Sequence, residues 1–136
     1  MMKVLIDTNI LLAIVPKKSK YRLAYDALRS GKYILVISNE ILEEYEEILA
    51  NFYHSDFATI VVEELLNLPN VELVDTYYKF RLITTDPDDD KFVDAAIVSN
   101  ADHIITHDKH FNILKEIPFP KVSTISLQDF QNILTK

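Results

Sequence analysis

Cysteine is absent from the 136 residues. Disulfides and thiolate metal sites are therefore excluded, and a reducing, cytoplasmic setting is the expectation. Glycine occurs once, at Gly31, so the chain has no glycine-rich loop to cradle a phosphate. Long apolar runs are missing as well. The longest, Ile10 to Val15, falls far short of the ~20 residues that cross a bilayer, so no membrane role is expected. The first residues read as a strand with no basic stretch or cleavage site before it, so a secretory signal is not expected. Positive charge is also scarce: 14 Lys and Arg stand against 21 Asp and Glu, a net of −7. Proteins that bind nucleic acid by surface charge alone are usually basic, so this balance argues against RNA or DNA. The objection weakens if several carboxylates share one site and are neutralised there by divalent ions.

Hydrophobic residues make up 49% of the chain and charged residues 26%, which excludes disorder and suits one domain over residues 1–136. No repeat, linker or low-complexity segment divides it. Lys3-Val4-Leu5-Ile6 is a short apolar run ending at Asp7 and reads as a buried parallel strand. Helices are expected over Asn9–Val15 and Tyr21–Arg29. Ser30-Gly31-Lys32 breaks the pattern, and Tyr33–Ile37 reads as a second strand. Ser38 or Asn39 is a good cap for a long helix to about Asn51, with Ile41, Leu42, Tyr45, Ile48, Leu49 and Phe52 on one face. A helix from Ser55 or Asp56 to about Leu68 follows, stopped by Pro69-Asn70. Strands are expected at Val71–Val74, at His103–Thr106 and at Val122–Ile125, with a helix at about Asp89–Asn100 and a last one capped by Ser126. Alternating strands and helices predict an α/β fold around a mainly parallel sheet. Ligands of such sheets sit beyond the carboxyl ends of the strands, where Asp7 and Asp108 both open.

Acidic residues then draw the eye. Asp7 follows the first strand directly, and Asp108 follows the fourth in Thr106-His107-Asp108. Each could simply be a helix cap or a turn residue. On the long helix, Glu44 and Glu46 lie at opposite edges of the apolar face, while Glu43 and Glu47 point to solvent, and periodicity cannot choose between the first two. Asp86-Pro87-Asp88-Asp89-Asp90 places four acids in five residues, more than a cap needs. The next helix buries Phe92, Val93, Ala96 and Ile97, which aims Asp89 inward, puts Asp90 near the edge and sets Asp94 on the outer side. An inward carboxylate must be capped, paired or metal-bound. The four histidines, His54, His103, His107 and His110, complete no zinc signature and are read as surface or turn residues. Lys17, Lys18, Lys20 and Arg22 form the one dense basic stretch and are candidates for guiding an RNA backbone, if they are not merely a solvated loop.

Acids from several strand ends meeting at one sheet edge make an all-oxygen site, which suits Mg²⁺ or Mn²⁺. Phosphodiester hydrolysis needs little more from a protein. Without a cation such carboxylates repel one another, and some stay protonated.

Four segments also carry a resemblance: Val4-Leu5-Ile6-Asp7-Thr8-Asn9, Ser38-Asn39-Glu40-Ile41-Leu42-Glu43-Glu44-Tyr45, Asp86-Pro87-Asp88-Asp89-Asp90-Lys91-Phe92-Val93-Asp94-Ala95-Ala96, and Ala101-Asp102-His103-Ile104-Ile105-Thr106-His107-Asp108. In this order they resemble the PIN domain, in particular the toxin components of toxin–antitoxin pairs related to VapC. The resemblance covers nearly the whole chain. It implies a three-layer α/β/α sandwich and a metal-dependent ribonuclease using Mg²⁺ or Mn²⁺. It selects Glu44 over Glu46 and Asp89 over Asp90, giving Asp7, Glu44, Asp89 and Asp108 as the catalytic, metal-holding acids. It implies a further acid at Asp94, as an outer or second-metal ligand, and polar companions at Asn9, Ser38 and Thr106. Implied partners are an RNA substrate, a cognate antitoxin and a second copy in a homodimer.

Two other strand-end-Asp families fit worse. A haloacid-dehalogenase-like phosphatase needs a second Asp where Asn9 stands. A response-regulator receiver needs paired acids after the first strand. The alternative of a different class is a PIN-like module that binds RNA or a protein without cutting. Such a module need not bind Mn²⁺ or be stabilised by it.

Overall fold

A computed structural model describes residues 1–77, 79–83 and 89–136. Its sheet has five strands: β1 (Lys3–Ile6), β2 (Ile34–Ile37), β3 (Val71–Leu73), β4 (His103–Ile105) and β5 (Thr124–Ile125). The order is β3-β2-β1-β4-β5, and every pairing is parallel. Val4, Leu5 and Ile6 of β1, and Leu35, Val36 and Ile37 of β2, are fully buried. Strands covered on both faces need such unbroken apolar runs. Edge strands β3 and β5 carry no fully buried residue.

The helices are α1 (Thr8–Ile14), α2 (Arg22–Arg29), α3 (Asn39–Phe52), α4 (Ser55–Asn67), α5 (Asp90–Ser99) and α6 (Leu127–Leu134). They make the expected α/β/α sandwich, with α5 packed on β1, β2 and β4 and the α3–α4 pair joined along its length. Three local signals place helix ends where they were expected. Ser38 caps α3 by accepting from the Ile41 amide at 3.2 Å, and Ser126 caps α6 by accepting from Asp129 at 3.1 Å. Gly31, at φ +79°, closes α2 in the left-handed conformation that costs a side chain most.

One element was not foreseen. Lys109–Glu116 forms a 3-10 helix, capped by Asp108, which accepts from the His110 amide at 2.9 Å. The chain runs from β1 outward through β2 to β3, then returns to β1's other side at β4. The order therefore reverses between β1 and β4, and a crevice opens beyond the carboxyl ends of those two strands.

Candidate active site

Asp7 leaves β1 at that crevice. Its amide still pairs with Ile105 of β4 at 3.0 Å, so the strand pairing holds its backbone in place. It occupies the N-cap position of α1, yet its carboxylate makes no capping bond. Instead, Oδ2 accepts from the Thr106 hydroxyl at 2.8 Å. The same Thr106 oxygen accepts from the Asp108 amide at 3.0 Å. One buried hydroxyl thus ties the first acid to the turn carrying the fourth. The plain capping reading holds for Asp108, and fails for Asp7.

Glu44 reaches the same place from α3. It is half-buried, whereas Glu46 is exposed. The Thr8 hydroxyl donates to its Oε2. Lys91 of α5 sits 2.7 Å from its Oε1, in an ion pair shielded on the lysine side. Beside it, the buried Tyr45 hydroxyl donates to the Ile6 carbonyl and anchors α3 to the last residue of β1. Asp89 stands at the N-cap position of α5 with helical backbone angles and, like Asp7, makes no capping bond. It is 8% exposed, so the inward aim read from periodicity holds. Its Oδ2 lies 3.2 Å from Nδ1 of His110, and that nitrogen is also 3.2 Å from Asp108 Oδ1.

Asp7 also feels the charge of two of the other acids. Burial pushes the Asp7 carboxyl above its usual 3.8, and the negative charges of Asp108 and Glu44 push it further, against hydrogen bonds from Thr106 and Thr8. No cationic side chain contacts Asp7 among the described residues. A buried carboxylate beside two others is a site that a divalent cation would relieve. The ligand atoms of Asp89, Asp108 and His110 lie within 4.8 Å of one another, so the donor set fits such an ion. A cavity of about 320 Å³ opens beside Asp7 and Asp108, with Asn9, Ile10, Tyr21 and His107 in its wall.

Other candidates fall elsewhere. Thr106 joins the acids directly, and Asn9 stands at the cavity rim. The Ser38 hydroxyl is engaged in capping α3. Lys17, Lys18 and Lys20 are exposed. Arg22 differs from them: its guanidinium bonds the Val15 carbonyl and pairs with Asp26 at 2.9 Å. Asp86 and Asp88 lie outside the described residues.

Asp94 corrects the helical-wheel expectation. It is 1% exposed, not outward-facing. Residues 79–83 lie against this side of α5, and the Phe80 amide donates to Asp94 Oδ1 at 3.0 Å. Asp90 holds the same segment through the Ile83 amide at 2.8 Å. A wheel registers only a helix's own residues, so it could not foresee this cover. Burial raises the Asp94 pKa most, countered by the Phe80 amide and Lys79. Raised folded-state values at Asp7 and Asp94 mean a stability contribution fully present below 3.8 and lost as pH rises through those values. In chelator, the urea midpoint is therefore expected to fall from acid toward neutral pH from these two groups. Asp94→Asn, which can still accept from Phe80, should flatten that fall. An unchanged slope would show that Asp94 ionises as freely in the folded chain as in the unfolded one.

Sequence reasoning passed over Lys91 and His110. Lys91 lay inside the acidic motif with nothing to say which acid it meets. His110 lacked the spacing of a known metal motif.

Residues 3–110 match the family model described as PIN domain. The chain belongs to the PIN-domain family. Its fold is similar to those of solved VapBC structures. DNA-bound VapBC from Salmonella typhimurium matches at 17% identity and TM-score 0.61, over 93% of this chain and 99% of that one. VapBC2 from Rickettsia felis, bound to a promoter DNA fragment, matches at 18% and 0.63, over 92% and 98%. VapBC-1 from nontypeable Haemophilus influenzae matches at 16% and 0.56, over 93% and 99%. At these identities the likeness concerns the fold. No curated protein sequence matches the chain. Among the described residues of this PIN domain, no helix is long and apolar enough to cross a membrane.

Proposed function

We propose that this PIN domain is a metal-dependent ribonuclease, the toxin component of a toxin–antitoxin pair. The observation that carries the reading is that Asp7, Glu44, Asp89 and Asp108 come from four separate elements and meet pairwise near the reversal point of the sheet: Asp7 is buried in the field of Asp108 and Glu44, and Asp89 and Asp108 flank one nitrogen of His110. Burial and like charge at Asp7 oppose that arrangement in the absence of a cation. These four acids would hold Mg²⁺ or Mn²⁺, with Asp94 as the further acid the family pattern suggests. When bound, the ion supplies a water of lowered pKa and neutralises charge on the phosphorus oxygens and the leaving group.

The chain's own residues do the positioning. Thr106 orients the Asp7 carboxylate, and Thr8 and Lys91 orient Glu44. No side chain serves as a covalent nucleophile. Lys17, Lys18 and Lys20 stand on the loop after α1 and offer positive charge to an RNA backbone near an otherwise acidic cleft. The VapBC neighbours are toxin–antitoxin complexes, which supports a cognate antitoxin as the partner that covers the cleft. A cytoplasmic homodimer completes the reading.

The test is cleavage of a mixed pool of end-labelled RNAs with Mn²⁺ or Mg²⁺, and with EDTA. Cleavage by wild type that stops in EDTA, and is lost in Asp89→Asn, is the expected result. Tight Mn²⁺ binding with no cleavage of any RNA would favour the binding-module reading. Cleavage that continues in EDTA would overturn metal dependence.

A further inference from the structure

His110 is the one histidine that meets the acids among the described residues. The other three contact groups outside the four acids. His54 caps α4 by accepting from the Asp56 amide at 3.1 Å, His103 Nδ1 lies 2.9 Å from the Ser123 hydroxyl, and His107 Nε2 accepts from the Leu127 amide at 3.1 Å. His110 instead directs Nδ1 between Asp89 and Asp108, 3.2 Å from an oxygen of each. It is held there by its own backbone. The Asp108 side chain that caps the 3-10 helix does so through the His110 amide, which fixes the imidazole's start point relative to that carboxylate. Asp89 arrives from α5, so the nitrogen and the two oxygens come from two elements that only the tertiary fold brings together.

Resting on the metal-dependent reading above, we propose that His110 Nδ1 is itself a ligand of the ion, and that this makes the site prefer Mn²⁺ to Mg²⁺. Geometry and donor chemistry carry the inference. An octahedral ion with donors at about 2.1 Å sets neighbouring donor atoms about 3 Å apart. The 3.2 Å spacing of His110 Nδ1 from the Asp89 and Asp108 oxygens is close to that, and all three ligand atoms lie within 4.8 Å of one another. Mg²⁺ favours oxygen donors and retains much of its water. Mn²⁺ is the weakest binder of the first-row divalent ions and shares Mg²⁺'s liking for oxygen, but as a transition ion it gives up water for an imidazole nitrogen more readily than Mg²⁺ does. A nitrogen donor therefore adds affinity for Mn²⁺ that it does not add for Mg²⁺. Asp89 and Asp108, the two acids that flank His110 Nδ1, are among the four that would hold the ion, so the imidazole stands within the proposed donor set.

The experiment measures binding, not turnover. Mn²⁺ affinity is read from the free-ion EPR signal, and Mg²⁺ affinity from competition, in wild type, His110→Ala and His110→Gln. Pulsed EPR of the Mn²⁺ complex reports nitrogen hyperfine coupling. The expected result is nitrogen coupling in wild type that disappears in both variants. With it should go a Mn²⁺ affinity loss of roughly tenfold or more, on the scale seen for groups that support a metal site. Mg²⁺ affinity should change far less than Mn²⁺ affinity. The glutamine can still donate a hydrogen bond to the carboxylates. If His110 only bridges them, glutamine restores Mn²⁺ affinity and wild type shows no nitrogen coupling, which overturns the ligand role while leaving the ribonuclease reading intact. If wild type binds no Mn²⁺ at all, both fall together. Metal-free thermal melts of the three proteins separate misfolding of a variant from loss of the ligand.

Discussion

Asp7→Asn is expected to lower metal-dependent RNA cleavage by on the order of 10³-fold, the scale on which one preorganised electrostatic contact to a transition state is lost. The same substitution should make the metal-free protein more stable, not less. Asp7 is buried, and its carboxylate is disfavoured by that burial and by Asp108 and Glu44. Asparagine removes the charge and keeps an oxygen to accept from Thr106. Two melts check the second half. In chelator, Asp7→Asn should melt above wild type. With Mn²⁺ at about a hundredfold over its dissociation constant, wild type should gain about 10 °C, and the variant should gain little. A variant that melts lower in chelator would mean that Asp7 is paired and structural. A variant that cuts RNA as well as wild type would remove Asp7 from the chemistry.

Phe130→Ala is expected to cost about 3–5 kcal/mol of folding stability, the usual loss for a buried phenylalanine, and to lower the melting temperature by roughly 10–20 °C. Phe130 is fully buried. Its ring meets Tyr33 edge-on, with centroids 4.9 Å apart at 81°. The Tyr33 hydroxyl donates to the Ala24 carbonyl of α2 at 2.8 Å, so Tyr33, the residue before β2, links α6 to α2. The family match ends at residue 110, before this helix begins. A loss below about 1 kcal/mol, typical of surface positions, would mark α6 as an appendage to a core complete without it.

Much of the fold was legible because it rests on local signals. Apolar runs marked β1, β2 and β4, a serine marked the start of α3, and the single glycine marked the end of α2. Each depends on neighbours a few residues away, which a sequence displays directly. The acids at strand ends were legible for the same reason: the alternation of strands and helices puts Asp7 and Asp108 at one sheet edge whatever the details. Helical periodicity also aimed Asp89 inward and put Glu44 at the margin of a buried face.

Three features needed the tertiary structure. Glu44 and Glu46 were equivalent by periodicity, and family likeness alone had preferred the first. In space, Thr8 and Lys91 meet Glu44, and Glu46 stays in solvent. Asp94 looked outward on a wheel, yet a distant segment covers that face and hydrogen-bonds to it. His110 carried no motif, because its partner Asp89 lies 21 residues away on another helix. The sequence by itself determined the strands, the caps and the edge at which the acids emerge, since period, capping and charge act over a turn or a strand. Which carboxylates are buried together, and which lysine and histidine meet them, followed only from how α3, α5 and the 3-10 helix pack around β1 and β4, because such contacts join residues that no local term relates.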